Sequence, residues 1–263
     1  MNKIRLKAIA FCSILLIGAF NACQFADMAK SLPPVQGIPP TESGGPRFAQ
    51  PREDIDRSSP PSQPSRGPEG VRGGCGSNRQ LNLTALVPQN KIGRTVSEYP
   101  TLFFYLPKTD AQLAEFILLD PSGKEIYKQT FTISNLSGVI GVSIPANKNV
   151  SPLKVDKNYR WTFTVICDSQ DRSADVFQMG AVRRVELSAD IRSELEKADP
   201  RRKTAIYAEN GIWQDALSNL AAARRAQPDD AVLSADWADL LNAVNLGKIA
   251  KEPIVQNEPQ PIK

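Results

Sequence analysis

Between Gln80 and about Leu187, apolar and polar residues alternate in short runs broken by turn residues. The clearest run is Tyr159–Asp168. Tyr159, Trp161, Phe163, Val165 and Cys167 fall on one face, and Arg160, Thr162 and Thr164 on the other. A period of two marks a strand with one face in a core and the other towards solvent. Leu81–Val87, Thr101–Leu106, Ala114–Asp120, Glu125–Ile133, Val139–Ile144 and Asp175–Leu187 read as further strands. Pro107-Lys108, Asp120-Pro121-Ser122-Gly123, Asn135, Pro145 and Asp156-Lys157-Asn158 punctuate them as turns. Short strands at this spacing predict an antiparallel, immunoglobulin-like β-sandwich over residues 75–188. Trp161 stands only six positions before Cys167, whereas the immunoglobulin pattern carries its tryptophan on an earlier strand.

The period changes over residues 189–250. Ile191, Leu195 and Ala198 begin an amphipathic stretch that stops near Pro200, and Ala205 to Ala208 continues as a second short helix. Trp213, Ala216, Leu217, Leu220 and Ala223 then recur at helical spacing, as do Val232, Leu233, Trp237, Leu240, Leu241 and Val244. Pro228-Asp229-Asp230 separates these two helices and offers an aspartate to cap the second. Tyr207, Gly211, Trp213, Ala216, Leu220, Ala223 and Pro228 resemble one tetratricopeptide-type unit, with Trp for its usual Tyr and Leu for its usual Phe. One unit cannot bury its own apolar face, because such arrays need about three. The helices are therefore expected to pack on the sandwich, on each other or on a partner. The fold class is α+β, a sandwich followed by a small tetratricopeptide-like helical hairpin.

Outside these regions the pattern is of a different kind. Lys3, Arg5 and Lys7 precede an almost wholly apolar run from Ala8 to Ala22, which predicts an export signal over residues 1–22. The run is shorter than the roughly 20 residues of a membrane span. Phe20-Asn21-Ala22-Cys23 resembles a degenerate bacterial lipobox, with Phe20 where Leu is usual, and would make Cys23 a lipidated N-terminus. The other reading is an ordinary signal followed by an incidental cysteine. The net charge is +4, and three of those cations lie in residues 1–22, so the basic balance belongs to the leader. Residues 23–74 carry LPP, IPP, SSPPSQPSRGP and GVRGG with few bulky apolar side chains and read as a disordered tether. Their arginines alternate with Glu53, Asp54, Asp56 and Glu69, the pattern of a solvated linker rather than of a nucleic-acid-binding arm. Residues 251–263 also read as a flexible tail, since Pro253, Pro259 and Pro261 interrupt any helix.

Several segments taken together, LTALVP (83–88), YPTLFFYLP (99–107), AEFILLDPSGKEIY (114–127), YRWTFTVICDSQDRSADV (159–176) and YAENGIWQDAL (207–217), resemble the family catalogued as domain of unknown function 928. The resemblance covers roughly Cys75 to the end of the helical region. Family members usually carry a tryptophan after the glycine near the end of the β half; here Ala181 follows Gly180. The resemblance implies an exported cyanobacterial protein and, because the family has no established activity, no particular chemistry.

The cysteines narrow the architecture. Cys12 leaves with the signal, and Cys23 is lipidated or lies in the tether. Cys75 and Cys167 remain as the natural disulfide pair, which an exported chain permits; two unpaired buried thiols are the alternative. The chain has no histidine, which removes Ser-His-Asp and Cys-His nucleophilic systems and His-ligated metals. It contains neither GxxxxGK[ST] nor GxGxxG. One polar cluster stands out: Asp168, Asp171, Arg172 and Asp175. Three aspartates offer hard oxygen ligands to calcium, but the spacing is not an alternating D-x-D-x-D, and Arg172 sets a positive charge among them. A turn braced by aspartate-to-backbone bonds, with Arg172 pairing an aspartate, accounts for the same residues. Asp168, Asp171 or Glu115 could supply paired carboxylates for glycoside hydrolysis, although no spacing singles out a pair.

These readings assign no catalytic, cofactor-binding or metal-binding residue. They point to an exported, non-enzymatic binding or structural module of the cell envelope, periplasmic or envelope-attached. Its partner would be a protein or envelope component and not a nucleic acid, and it would touch the membrane only through a lipid on Cys23. The alternative is a carboxylate-dependent envelope hydrolase.

Overall fold

The computed structural model describes residues 45–51, 75, 81–147 and 149–262. The export segment, Cys23 and the rest of the expected tether lie outside the described residues. Within them the chain is a mixed α+β structure with two sheets and four helices. The strands are β1 (Thr84–Ala85), β2 (Ile92–Thr95), β3 (Thr101–Leu106), β4 (Leu113–Leu119), β5 (Glu125–Thr132), β6 (Gly138–Ser143), β7 (Asn158–Ile166), β8 (Val176–Arg184) and β9 (Gln260–Pro261). A small sheet has the order β1-β3-β6, and a large one the order β2-β8-β7-β4-β5-β9.

The alternation along β7 is used as its pattern suggests. Tyr159, Trp161, Phe163 and Val165 are buried, whereas Arg160 is exposed. They meet the inward residues of β4 and of the small sheet in one apolar core. Phe104 of β3 stacks on Phe163 at 4.3 Å and meets Trp161 edge-on at 5.4 Å and Phe116 of β4 at 6.5 Å. Such aromatic pairs add to the burial of their area. Strand β3 shows no clean alternation because both its faces are covered. Leu102, Phe104 and Leu106 enter the inter-sheet core, while Phe103 points the other way into a second core.

The second core joins the small sheet to the helices α1 (Ala189–Lys197), α2 (Pro200–Glu209), α3 (Trp213–Ala226) and α4 (Ala231–Asn242). Ser188, Asp199 and Asp230 cap α1, α2 and α4 with side-chain oxygens, the last accepting from Val232 and Leu233. Pro200 opens α2, where its missing N–H costs nothing. Gly211, at φ +69°, turns the chain from α2 into α3 in a conformation that favours glycine. Trp213, Leu217 and Leu220 of α3 and Trp237, Leu240 and Leu241 of α4 pack with Leu86, Phe103 and Val139. The indole Nε1 of Trp213 donates to the Leu86 carbonyl at 2.8 Å. Packing on the β layer is thus how these helices hide their apolar faces.

Four local expectations change. Leu81–Val87 forms only the two-residue β1, because Leu83 and Val87 bond back to carbonyls two residues earlier; Leu81, Leu83 and Ala85 are nonetheless buried. Strand β2 goes unread in the sequence, and it pairs parallel with β8, so the large sheet is not wholly antiparallel. The segment read as a loose tail is a strap. The Pro253 carbonyl accepts from Val139 at 2.7 Å, Val255 donates to the Val139 carbonyl at 2.9 Å, and β9 pairs with β5. Gly138 permits the approach, since at φ +120° a side chain there would overlap the Pro253 carbonyl. Finally, residues 45–51 of the expected tether pack on the helices: Phe48 meets the Trp213 ring edge-on at 4.8 Å, and Ala49 donates to the Ala208 carbonyl at 3.0 Å.

Cys75 and Cys167 form a disulfide with Cα atoms 4.6 Å apart, joining positions 92 residues apart in sequence. No helix among the described residues is long and apolar enough to cross a membrane.

Candidate binding cleft

The polar cluster read from the sequence gathers beyond the end of β7. Asp168 accepts from the Gln170 amide at 2.8 Å and Asp171 from the Ser173 amide at 2.9 Å. The hydroxyl and amide of Ser173 hold the Asp171 carboxyl below the usual range. Asp175 accepts from the Cys167 amide at 3.1 Å and is paired with Arg172, which also reaches Glu115 at 3.5 Å. Glu115 is bound in turn by Lys128 at 3.1 Å. Each of these carboxylates takes a backbone amide or a cation of its own chain, so the cluster braces a turn beside the disulfide. The described residues contain no group of three or more side chains placed to hold a metal ion.

A second polar site lies where the two halves of the fold meet. Strand β2 ends at Thr95, and the chain passes through Ser97, Tyr99 and Pro100 before entering β3 at Thr101. The first turn of α3 comes up against this connection, fixed by the burial of Trp213 and its bond to Leu86. Gln214, Asp215 and Ser218 of α3 face it across a cavity of about 200 Å³ lined also by Thr95, Tyr99 and Thr101.

Asp215 is the electrostatic centre of this cleft. The Val96 amide donates to its Oδ2 at 3.1 Å across 119 residues of sequence. The fully buried Thr95 hydroxyl accepts from Ser97 at 3.0 Å and hydrogen-bonds the Asp215 carboxyl. A carboxylate in the first turn of a helix is also favoured by the helix dipole. Burial outweighs these contacts and pushes the carboxyl from 3.8 up to about 6. Burial, and after it the charge of Asp215, raises the phenol of Tyr207.

Gln214 is 1% exposed, and neither its amide oxygen nor its nitrogen has a hydrogen-bond partner. It lies against Gly93 of β2, where any side chain would overlap its amide. On the far side of the cleft the Thr101 hydroxyl bonds Ser143 at 2.7 Å, and Ser143 donates to Glu258 of the strap at 2.6 Å. Tyr99 donates to the Val150 carbonyl at 3.4 Å. The wall is therefore held by bonds of its own, while the Gln214 amide is enclosed against β2 without a hydrogen-bond partner.

No sequence reading singled out these residues, because the two sides of the cleft are more than a hundred positions apart. One signal was present. Gln214 stands three positions before Leu217 and seven before Ala221, so a polar residue occupies the buried stripe of α3.

A family model described as Domain of Unknown Function (DUF928) matches residues 65–254, a span that includes the disulfide, both cores and the cleft. A search of the curated proteins finds no match to the chain.

Proposed function

The chain belongs to the Domain of Unknown Function (DUF928) family, and from that premise we propose that it acts as an exported, non-catalytic binding module of the cell envelope. One observation carries the reading: the cleft at Asp215 is lined by hydroxyl side chains that their own hydrogen bonds hold around a buried carboxyl. Sites that bind small polar groups are built in this way, on regular elements that hold each side chain before the ligand arrives. Export is supported by the basic and apolar leader and is compatible with the Cys75–Cys167 disulfide. In this reading the protein is cyanobacterial and works in the periplasm or at the envelope, with Cys23 as a lipid anchor. Replacing Cys23 by serine then releases the protein from membranes or blocks its processing.

The architecture we favour is an immunoglobulin-like sandwich carrying one tetratricopeptide-like hairpin. Strand β7 lies between β8 and β4, as the central strand of the C-F-G sheet does, and β5 extends that sheet in the manner of the variable-type plan. Cys75 lies ahead of β1, unlike the first cysteine of that plan, which stands within a strand.

The hydrolase alternative draws on Asp215, whose pKa of about 6 suits a general acid. Glycoside hydrolysis needs a second carboxyl facing the first, and among the described residues Asp215 is the one carboxylic acid in the cleft lining. The test is cosedimentation of the mature protein with isolated envelope fractions, followed by analysis of the supernatant. Binding with the fraction left intact is expected. Soluble fragments released by the wild type, but not by Asp215→Asn, would favour the hydrolase. Failure to sediment with any fraction would end the binding reading.

A further inference from the structure

We infer that the outer face of the large sheet docks on the surface of an anionic phospholipid membrane, with its arginines on the headgroups and Phe177 and Met179 in the boundary beneath them. The inference rests on the envelope-binding reading above and names a partner for it. Alternation fixes which side chains share this face. Gly93 and Thr95 of β2 turn towards α3, against Gln214 and Asp215, so Arg94 turns away from it. Val182 of β8 and Trp161 of β7 enter the inter-sheet core, so Ala181, Arg183 and Arg160 point outward. The register then assembles a basic end. Arg94 stands directly opposite Arg183, and Arg160 stands opposite Ala181, on the diagonal from Arg183.

Like charges directly opposite on neighbouring strands, about 4.8 Å apart, destabilise a sheet. Asp156 relieves Arg183 at 3.3 Å, but among the described residues Arg94 and Arg160 take part in no ion pair. The outward acid of β4, Glu115, is already bound by Lys128 and Arg172, and Glu125 stands two strands from Arg160. The face therefore carries a surplus of guanidinium groups, whose forked donors suit phosphate. The rows beside this basic end are apolar. Met179 is 52% exposed and Phe177 45%, and half-buried Ile117 continues the Met179 row beyond Thr162. Large apolar side chains exposed together mark an interaction surface. A soluble acidic polymer would answer the arginines and leave Phe177 and Met179 in water. A second copy would bring arginines to a face whose central acid is already bound. An anionic bilayer presents headgroup charge with acyl chains just beneath, so one partner meets both parts of the face. The folded part then reaches the membrane itself, in addition to the lipid expected on Cys23.

The experiment is cosedimentation of the mature chain, made without the leader and so without a lipid, with two kinds of vesicle. One is phosphatidylcholine alone, and the other is phosphatidylcholine and phosphatidylglycerol mixed two to one. Binding to the mixed vesicles, weakened by salt and lost on phosphatidylcholine alone, is expected. Arg160→Gln and Arg94→Gln should each weaken it about fivefold. Phe177→Ser, which removes apolar contact and no charge, should also weaken it about fivefold. Lys248→Gln, an equal loss of charge next to Ile249 of the helix layer, should bind as the wild type does. Thermal melts establish that the variants are folded. Absence of binding to the mixed vesicles would overturn the inference, and envelope cosedimentation that persists would leave the binding reading standing with another partner. Vesicle binding unchanged by Arg160→Gln and Phe177→Ser would overturn it as well. Vesicle binding that follows Arg160 but is indifferent to Phe177, and is matched by dextran sulfate, would assign the face to an acidic polymer and overturn the membrane assignment.

Discussion

Between the two sheets, the rings of Phe104, Phe116, Trp161 and Phe163 form the centre of a core that leucine, isoleucine and valine side chains complete. Between the small sheet and the helices, Trp213 and Trp237 share the layer with Gln214, Arg224 and Arg225, which all carry buried polar atoms without hydrogen-bond partners. Arg224 lies over the Trp237 ring at 5.5 Å, and burial lowers its pKa. Arg225 donates to the Val255 carbonyl at 3.0 Å and keeps Nη2 unpaired. Buried polar atoms left unpaired cost free energy, and the inter-sheet core carries one as well, the indole Nε1 of Trp161; the helix layer differs in carrying an amide and two guanidinium groups. The difference separates their roles. The inter-sheet core holds the fold together, and the helix layer carries polar groups that stability alone does not require.

The largest expected effect tests the first region. The disulfide closes a loop spanning 92 residues at the edge of the inter-sheet core. In the chain-entropy model such a crosslink contributes about 4–5 kcal/mol. Replacing Cys75 and Cys167 together by serine should lower stability by about that amount in urea denaturation. The wild type should lose as much on full reduction. A change well under 1 kcal/mol would mean that the aromatic core alone determines the stability of this region.

Trp213 tests the second region. Its replacement by alanine removes a fully buried ring and leaves the Leu86 carbonyl without its donor. The cost should be about 3–5 kcal/mol. Because β3 contributes to both cores through adjacent residues, the loss should appear in a single transition of the whole chain. Two separated transitions would show that the layers unfold independently. A fragment from Asp190 onward that folds cooperatively by itself would show the same.

The two regions also differ in how far the sequence reveals them. Strands β3 and β7 are visible because aromatic and β-branched residues repeat at the strand period. Helices α3 and α4 are visible because their apolar residues repeat at the helical one. Strand β2, IGRT, has no such pattern; its partner β8 lies about ninety residues away and supplies the order through parallel pairing. The strap and residues 45–51 look unstructured because proline and polar residues give them no periodicity. Their order comes from surfaces they meet only after folding, namely Val139, β5 and Trp213. The cleft is harder still to read. Serine, threonine and aspartate are common loop residues, and only the buried position of Gln214 marks them as unusual.

Asp215 gives the helix layer a pH dependence in the acid range. Its folded pKa of about 6 lies above the ordinary 3.8. Between those values the folded chain binds more protons than the unfolded one, so stability falls as pH rises through the window and levels off above it. Two pKa units correspond to about 3 kcal/mol at most. Asp215→Asn should abolish this slope and leave the variant more stable than the wild type above pH 6. Denaturation at a series of pH values from 4 to 8 measures both. A wild-type slope that survives the substitution would place the titrating group elsewhere.

The smallest effect bears most directly on the contrast between the two layers. Gln214→Met replaces a buried amide without partners by an apolar side chain of similar length, and so makes the helix layer resemble the inter-sheet core. If the amide is unpaired in the free protein, its removal should raise stability by about 1–2 kcal/mol, because the desolvation of an unsatisfied polar group is relieved. A gain in stability would show that the fold does not require this amide. A loss of stability would mean that the amide is satisfied by ordered water, which conserves the polar wall but makes it part of the structure. Urea denaturation of the variant beside the wild type measures the difference.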